Sequence, residues 1–122
     1  QEVDEHNKRR KEIATKFHEG LKKLPIQLIP DEYLNSSSWH LYPIFLNDIN
    51  ERDSLHTHLK EKQIGCGLYY SKSLPEEKPL LNYLGEKNRG KLFAQKTLCL
   101  PMNPHITDEN INEVVESVSS FY

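Results

Sequence analysis

The residues with the clearest chemical potential are a histidine inside a β-patterned run, Trp39-His40-Leu41-Tyr42-Pro43-Ile44-Phe45-Leu46, and two tyrosines, Tyr69 and Tyr70, that follow the glycine pair Gly65 and Gly67. An imidazole on a strand either faces a ligand or bonds a backbone carbonyl, and a phenol either meets a ligand or caps the core edge with its hydroxyl in water. Both alternatives stand for each residue. His56 and His58 are two apart on an expected helix, on different faces, which makes them poor joint ligands for a metal. His6, His18 and His105 are scattered, as surface positions would be. Ser36 to Ser38 form a loop with no base to activate a nucleophile, and Gly65-Cys66-Gly67 alone is too short to be a phosphate loop. Cys66 and Cys99 stand singly in apolar runs, without metal or redox spacing. They read as reduced, buried thiols, which points to a cytoplasmic protein.

Elements that could position these groups follow from the periodicity. Glu2 to Leu24 is expected to be a helix whose apolar residues crowd its later turns, at Ile13, Ala14, Phe17, Leu21 and Leu24. Its polar first half either stays solvated or covers a partner. Gly20 suggests fraying there, and Pro25 closes the element. Trp39 to Leu46 alternates as a strand, with Trp39, Leu41 and Phe45 on one face and His40, Tyr42, Ile44 and Leu46 on the other. Pro43 places it at an edge or a bulge. Glu51 to Lys62 reads as a helix, Ile64 to Tyr70 as a second strand, and Leu98 to Leu100 as a third. Gly65 and Gly67 lie on one side of the second strand and leave room for a backbone or ligand. Leu80, Leu81 and Leu84 suggest a short helix, Lys91 to Lys96 another. Thr107 caps a last helix striped by Ile111, Val114, Val115, Val118 and Phe121. The fold class expected is α+β: a two-layer domain with a small, mainly antiparallel three-stranded sheet covered on one face by helices.

Composition bounds the function. The chain has 122 residues, 36% of them hydrophobic, with 16 basic and 18 acidic residues for a net charge of −2. The apolar share is below that of a self-sufficient domain, so either the connections are long and polar or the chain is part of something larger. The charge balance argues against nucleic acid as a partner. No apolar run could span a bilayer and no signal-peptide pattern opens the chain, so no membrane partner is expected.

Taken in order, these motifs resemble the C-terminal part of the DegT/DnrJ/EryC1/StrS sugar aminotransferases. Asn7, Arg9, Arg10, Ile13, Ala14 and Phe17 are similar to the helix that leaves the large domain of that family. Trp39-His40-Leu41-Tyr42 resembles its aromatic-His-Leu-aromatic strand. Arg52-Asp53 with Leu55 and Leu59, Ile64-Gly65-Cys66-Gly67, and Leu98-Cys99-Leu100-Pro101-Met102 with Pro104, Thr107 and Ile111 follow in the same order. The resemblance implies a pyridoxal 5'-phosphate enzyme that aminates a nucleotide-linked keto sugar, with glutamate as donor, in amino-sugar and lipopolysaccharide or O-antigen biosynthesis. It implies a linking helix over residues 1–24 and a small domain over 25–122, whose partners are the large cofactor-binding domain, the nucleotide-sugar substrate and, in the complete enzyme, a second copy. It places His40, Tyr69 and Tyr70 against the substrate. Tyr69 and Ser71 replace the His and Pro of the family's His-Tyr-Pro, which leaves the sugar contacts there open. The cofactor lysine of the family lies upstream, and the lysines here sit in polar helices or loops, so the chain alone is not expected to transaminate. The alternatives are a free-standing, non-catalytic binding module derived from that domain, and an unrelated α+β ligand-binding domain.

Overall fold

A computed structural model describes residues 2–69, 71–73 and 89–122. The element order is α1 (Glu2–Leu21), a short 3-10 helix (Asp31–Tyr33), β1 (Tyr42–Phe45), α2 (Ile49–Glu61), α3 (Arg89–Lys96), β2 (Thr97–Leu100) and α4 (Asp108–Ser119). The short helix expected around Leu80, Leu81 and Leu84 lies outside the described residues.

The two strands pair antiparallel, Tyr42 opposite Leu100 and Phe45 opposite Thr97. Among the described residues the sheet is extended on either side by a single residue: Gln27 bridges to Phe45, and Gly67 bridges to Cys99. The third strand expected over Ile64 to Tyr70 is thus a single antiparallel bridge among the described residues. Two glycines in three positions give that segment little side chain to pack against a neighbour, which explains so short a pairing. The register also accounts for Pro43. The N–H and C=O of Cys99 both face Gly67 and those of Phe45 both face Gln27, each at 2.9 Å. Pro43 therefore sits opposite Cys99 in a pair without ladder hydrogen bonds, its nitrogen turned outward where no donor is needed.

Helices α1, α2 and α4 close the core. Ile13, Ala14, Phe17 and Leu21 of α1 meet Ile111, Val114 and Val118 of α4, with Leu55 and Leu59 from α2 and Tyr42, Ile44, Leu98 and Leu100 from the sheet. As the spacing predicts, α1 buries its later turns only; no residue from Glu2 to Glu12 is buried and Val3 is 67% exposed. The helix stops at Leu21, three residues before the expected Leu24. Gly20 is not a fraying point: a methyl there would come 2.6 Å from Val115 Cγ1, so the glycine lets α1 approach α4. At the open end of that contact Arg9 donates to the Ile106 carbonyl and to Asp108, each at 2.8 Å, and Lys16 also pairs with Asp108.

Caps fix the ends of α2 and α4. Asp48 accepts from the N–H groups of Asn50 and Glu51, and Thr107 accepts from that of Asn110. Helix α2 ends with Gln63 in the left-handed region at φ 60°. Ile64 N–H bonds the Leu59 carbonyl and Gln63 N–H the Lys60 carbonyl, each at 2.9 Å, the paired closure usually built around glycine.

Candidate functional site

His40 and Tyr69, far apart in the chain, line one cleft of about 260 Å³. Its remaining walls are Gly65, Gly67, Cys99 and Met102, with Leu41, Leu100 and Pro101 as apolar floor. Tyr70 lies outside the described residues. Among the described residues the lining has no ammonium, guanidinium or carboxylate group, so an imidazole and a phenol are its principal hydrogen-bonding side chains.

The chain brings His40 there through a bend, not through the strand expected to carry it. Trp39 has φ 50°, in the left-handed region that bulky residues seldom enter. Its indole Nε1 donates to the Leu34 carbonyl at 2.9 Å, and its ring stacks at a tilt on Tyr42 with centroids 5.4 Å apart. Trp39 is therefore buried on the same side as Tyr42, Ile44 and Leu46, not opposite them. His40 leaves that face, stands exposed, and has no hydrogen-bond partner among the described residues. The backbone-carbonyl role that the sequence leaves open for His40 is thus absent among the described residues.

The two glycines serve different purposes. No atom lies within 4 Å of where a side chain at Gly65 would begin, so the space above it is open to the cleft. Above Gly67 the space is filled by the ring of Tyr69, which is itself 54% exposed. Neither glycine has positive φ. Their contribution is room, not backbone freedom. Cys99 lines the cleft and Cys66 packs on the core, and burial pushes both thiols up from their ordinary values, so neither is an activated nucleophile.

Several polar residues hold the surrounding elements. Arg52 is buried, donating to the Ala94 carbonyl of α3 at 3.2 Å and through Nε and Nη2 to Asp53. It lies three and seven residues before Leu55 and Leu59, so the helical stripe already marked it as inward. His18, expected at the surface, is 5% exposed and bonded through Nε2 to Asp31 at 2.8 Å. Its position between Ala14 and Leu21 was the missed signal. His6 and His105 meet edge to face with centroids 5.3 Å apart. His58 Nε2 contacts the Ser117 carbonyl of α4 at 3.0 Å, whereas desolvation, with Lys60 nearby, lowers the pKa of His56. The two histidines have separate surroundings, as their spacing required.

The model of the DegT/DnrJ/EryC1/StrS aminotransferase family matches residues 1–119. The chain belongs to this family. Among solved structures it is similar to DesV from S. venezuelae in complex with a ketimine intermediate, at 25% identity and a TM-score of 0.81, covering 94% of this chain and 31% of that one. It is similar also to NtdA from Bacillus subtilis with bound cofactor PMP, at 26% identity and 0.79, covering 94% and 28%. Helicobacter pylori PseC, an aminotransferase involved in the biosynthesis of pseudoaminic acid, shares the fold at 20% identity and 0.80, covering 95% and 32%. The chain thus spans about 30% of the length of these aminotransferases. The four helices and antiparallel strand pair are the family's α+β arrangement for this portion.

A pyridoxal cofactor requires an amine to bind it covalently and cationic or N–H groups around its phosphate. Among the described residues the lining of the cleft includes neither an amine nor a cationic side chain, so these residues by themselves do not fit that group. What the described residues offer is an imidazole, a phenol and an apolar floor.

Proposed function

We propose that this chain is the small domain of a pyridoxal 5'-phosphate-dependent aminotransferase that transfers an amino group from glutamate to a nucleotide-linked keto sugar. The product would serve amino-sugar and cell-surface polysaccharide synthesis in the cytoplasm. The observation that carries this reading is the family match along residues 1–119. Residues 1–24 are the linking helix and 25–122 the small domain. The unburied first half of α1, with Val3 exposed, supports contact with a large domain, because a self-contained module would bury an apolar stripe along the whole helix. The cofactor and the lysine that binds it belong to the large domain, and the complete enzyme is a homodimer.

In this reading the cleft closes one side of the active site. His40, Tyr69 and Tyr70 contact the sugar, with the open space above Gly65 receiving its ring. An exposed imidazole without a partner among the described residues is inexpensive to desolvate when a ligand hydroxyl replaces water, which favours a contact role for His40. The test is His40→Ala in the complete enzyme. Turnover falls by about tenfold or more, the loss of a contact worth at least 1.4 kcal/mol, while stability stays within about 0.5 kcal/mol as for other exposed positions. Equal loss of both would make His40 structural. For the chain alone, mixing with pyridoxal phosphate leaves its free-aldehyde absorbance unchanged; a borohydride-trappable adduct at one lysine would overturn the assignment of that lysine to another domain.

A further inference from the structure

His18 lies on the inward stripe of α1, 5% exposed, between Phe17 and Leu21. An imidazole in such a place is costly to desolvate unless its nitrogens find partners. Its Nδ1 has none among the described residues, and its Nε2 stands 2.8 Å from Oδ1 of Asp31. A carboxylate can only accept, so Nε2–H donates. The Asp31 side chain is 87% exposed, and water would solvate it as well as His18 does. What the bond fixes is therefore the position of Asp31, not the comfort of its charge.

That position is passed on along the backbone. Asp31 opens the 3-10 helix, and its carbonyl accepts from the Leu34 N–H at 3.1 Å. The Leu34 carbonyl in turn accepts from the Trp39 indole at 2.9 Å. Trp39 is the residue at φ 50°, a conformation that a bulky side chain keeps only where its surroundings over-determine it. That turn delivers the next residue, His40, to the cleft. Helix α1 supports the same turn from below. Phe17, beside His18, packs on Tyr42 with ring centroids 5.3 Å apart, and Tyr42 carries the Trp39 ring at 5.4 Å. Two consecutive residues of α1 thus reach Trp39 by two routes, one through rings and one through hydrogen bonds.

We infer that His18 is a positioning residue for His40: its bond to Asp31 holds segment 31–39 in the shape that places the His40 imidazole at the cleft. His18 itself touches no substrate in this arrangement and acts through Asp31, Leu34 and Trp39. The contact of His40 with the sugar rests on the reading proposed above, whereas the control of His40 by His18 rests on the bonds just described.

The test compares three variants: His18→Leu, which fills similar space and cannot donate; His18→Gln, whose amide N–H reaches about where Nε2 stands; and Asp31→Ala, which removes the acceptor at an exposed position. In the isotopically labelled chain, NMR reads the Trp39 indole and the His40 ring, while the methyl signals of Leu59 and Val118 report that the core is folded. His18→Leu and Asp31→Ala shift the Trp39 and His40 signals in common, and His18→Gln returns them most of the way to their wild-type positions. Asp31→Ala leaves the core untouched and carries the comparison if His18→Leu does not fold. In the complete enzyme His18→Leu lowers kcat/KM roughly threefold to tenfold, the range of one hydrogen bond. In a His40→Ala background the same change lowers it no further, because its effect runs through His40. A merely structural histidine would subtract the same factor in both backgrounds, and that result overturns the inference. Unmoved Trp39 and His40 signals in the folded variants overturn it as well. If His40→Ala leaves turnover unchanged, the sugar contact fails, and the NMR shifts alone decide for or against His18.

Discussion

The ring of Tyr69 lies so close over Gly67 that a methyl on residue 67 would stand 2.8 Å from Cδ2 and Cζ and nearer still to Cε2. Gly67 is also the residue that bridges to Cys99 of β2. One small residue therefore sets both the pairing of the segment and the seat of the tyrosine that lines the cleft with His40.

Gly67→Ala separates these two effects. Tyr69 is half exposed and can swing away, so the stability loss is small, about 1 kcal/mol or less. The ring must move nevertheless, and its NMR shifts change markedly. Gly65→Ala, with open space and negative φ, leaves stability unchanged or raises it by about 0.4–1 kcal/mol. Urea denaturation of the two variants side by side gives the comparison. A loss at Gly65 as large as at Gly67 would contradict the open geometry.

Gly20→Ala sets helix propensity against packing. Alanine gains about 1 kcal/mol within a helix, but its methyl meets both γ carbons of Val115, at 2.6 and 2.9 Å. Val115 is β-branched in a helix and has one strongly preferred rotamer, so it cannot turn aside. Overpacking costs about 1–3 kcal/mol, and the net outcome is destabilisation by roughly 1 kcal/mol. Val115→Ala in the same background relieves the clash, so the double-mutant cycle shows favourable coupling. Additive losses would mean that α1 and α4 do not meet here.

Asp108 links α1 to α4 through Lys16 and Arg9, and their hydrogen bonds hold its carboxyl below the ordinary value of 3.8. A depressed folded-state value means that the link contributes above the unfolded value and fades as pH falls through the folded one. Asp108→Asn therefore lowers the urea midpoint at neutral pH, and the wild-type and variant midpoints converge as pH drops below about 4. Added salt narrows the neutral-pH gap, since the pair is at the surface. A gap that is constant with pH would remove the carboxylate from this role.

Gln63 occupies a left-handed position that glycine adopts without strain. Gln63→Gly stabilises the chain by roughly 0.5–1 kcal/mol, and Gln63→Val, β-branched at the same φ, destabilises it. Thermal unfolding midpoints in opposite directions are the expected readout. Movement of both in one direction would contradict the helix-ending geometry.

Helices α1, α2 and α4 were legible because their apolar spacing and caps are those of a helix. Ile13, Phe17 and Leu21 recur every four residues, Leu55 and Leu59 likewise, and Thr107 precedes two acids at the start of α4. The order of motifs from Arg9 to Ile111 was likewise enough to place the chain in its family, since that order is a property of sequence alone. His40 and Tyr69 were singled out by the resemblance to the family's aromatic-His-Leu-aromatic strand and His-Tyr-Pro turn, without knowledge that they share a cleft.

Only the tertiary structure decided which faces those residues occupy. Strand alternation assumes extended backbone throughout, and Trp39 breaks it with one left-handed residue, which sends the indole into the core and His40 out of it. Burial of Arg52 and His18 depended on partners remote in sequence, the Ala94 carbonyl and Asp31, because a polar group enters a core only where another element satisfies it. The use of Gly20 was invisible for the same reason: a glycine's sequence neighbours reveal its conformational freedom, but the atom that excludes a side chain, Val115, lies on a helix 95 positions away.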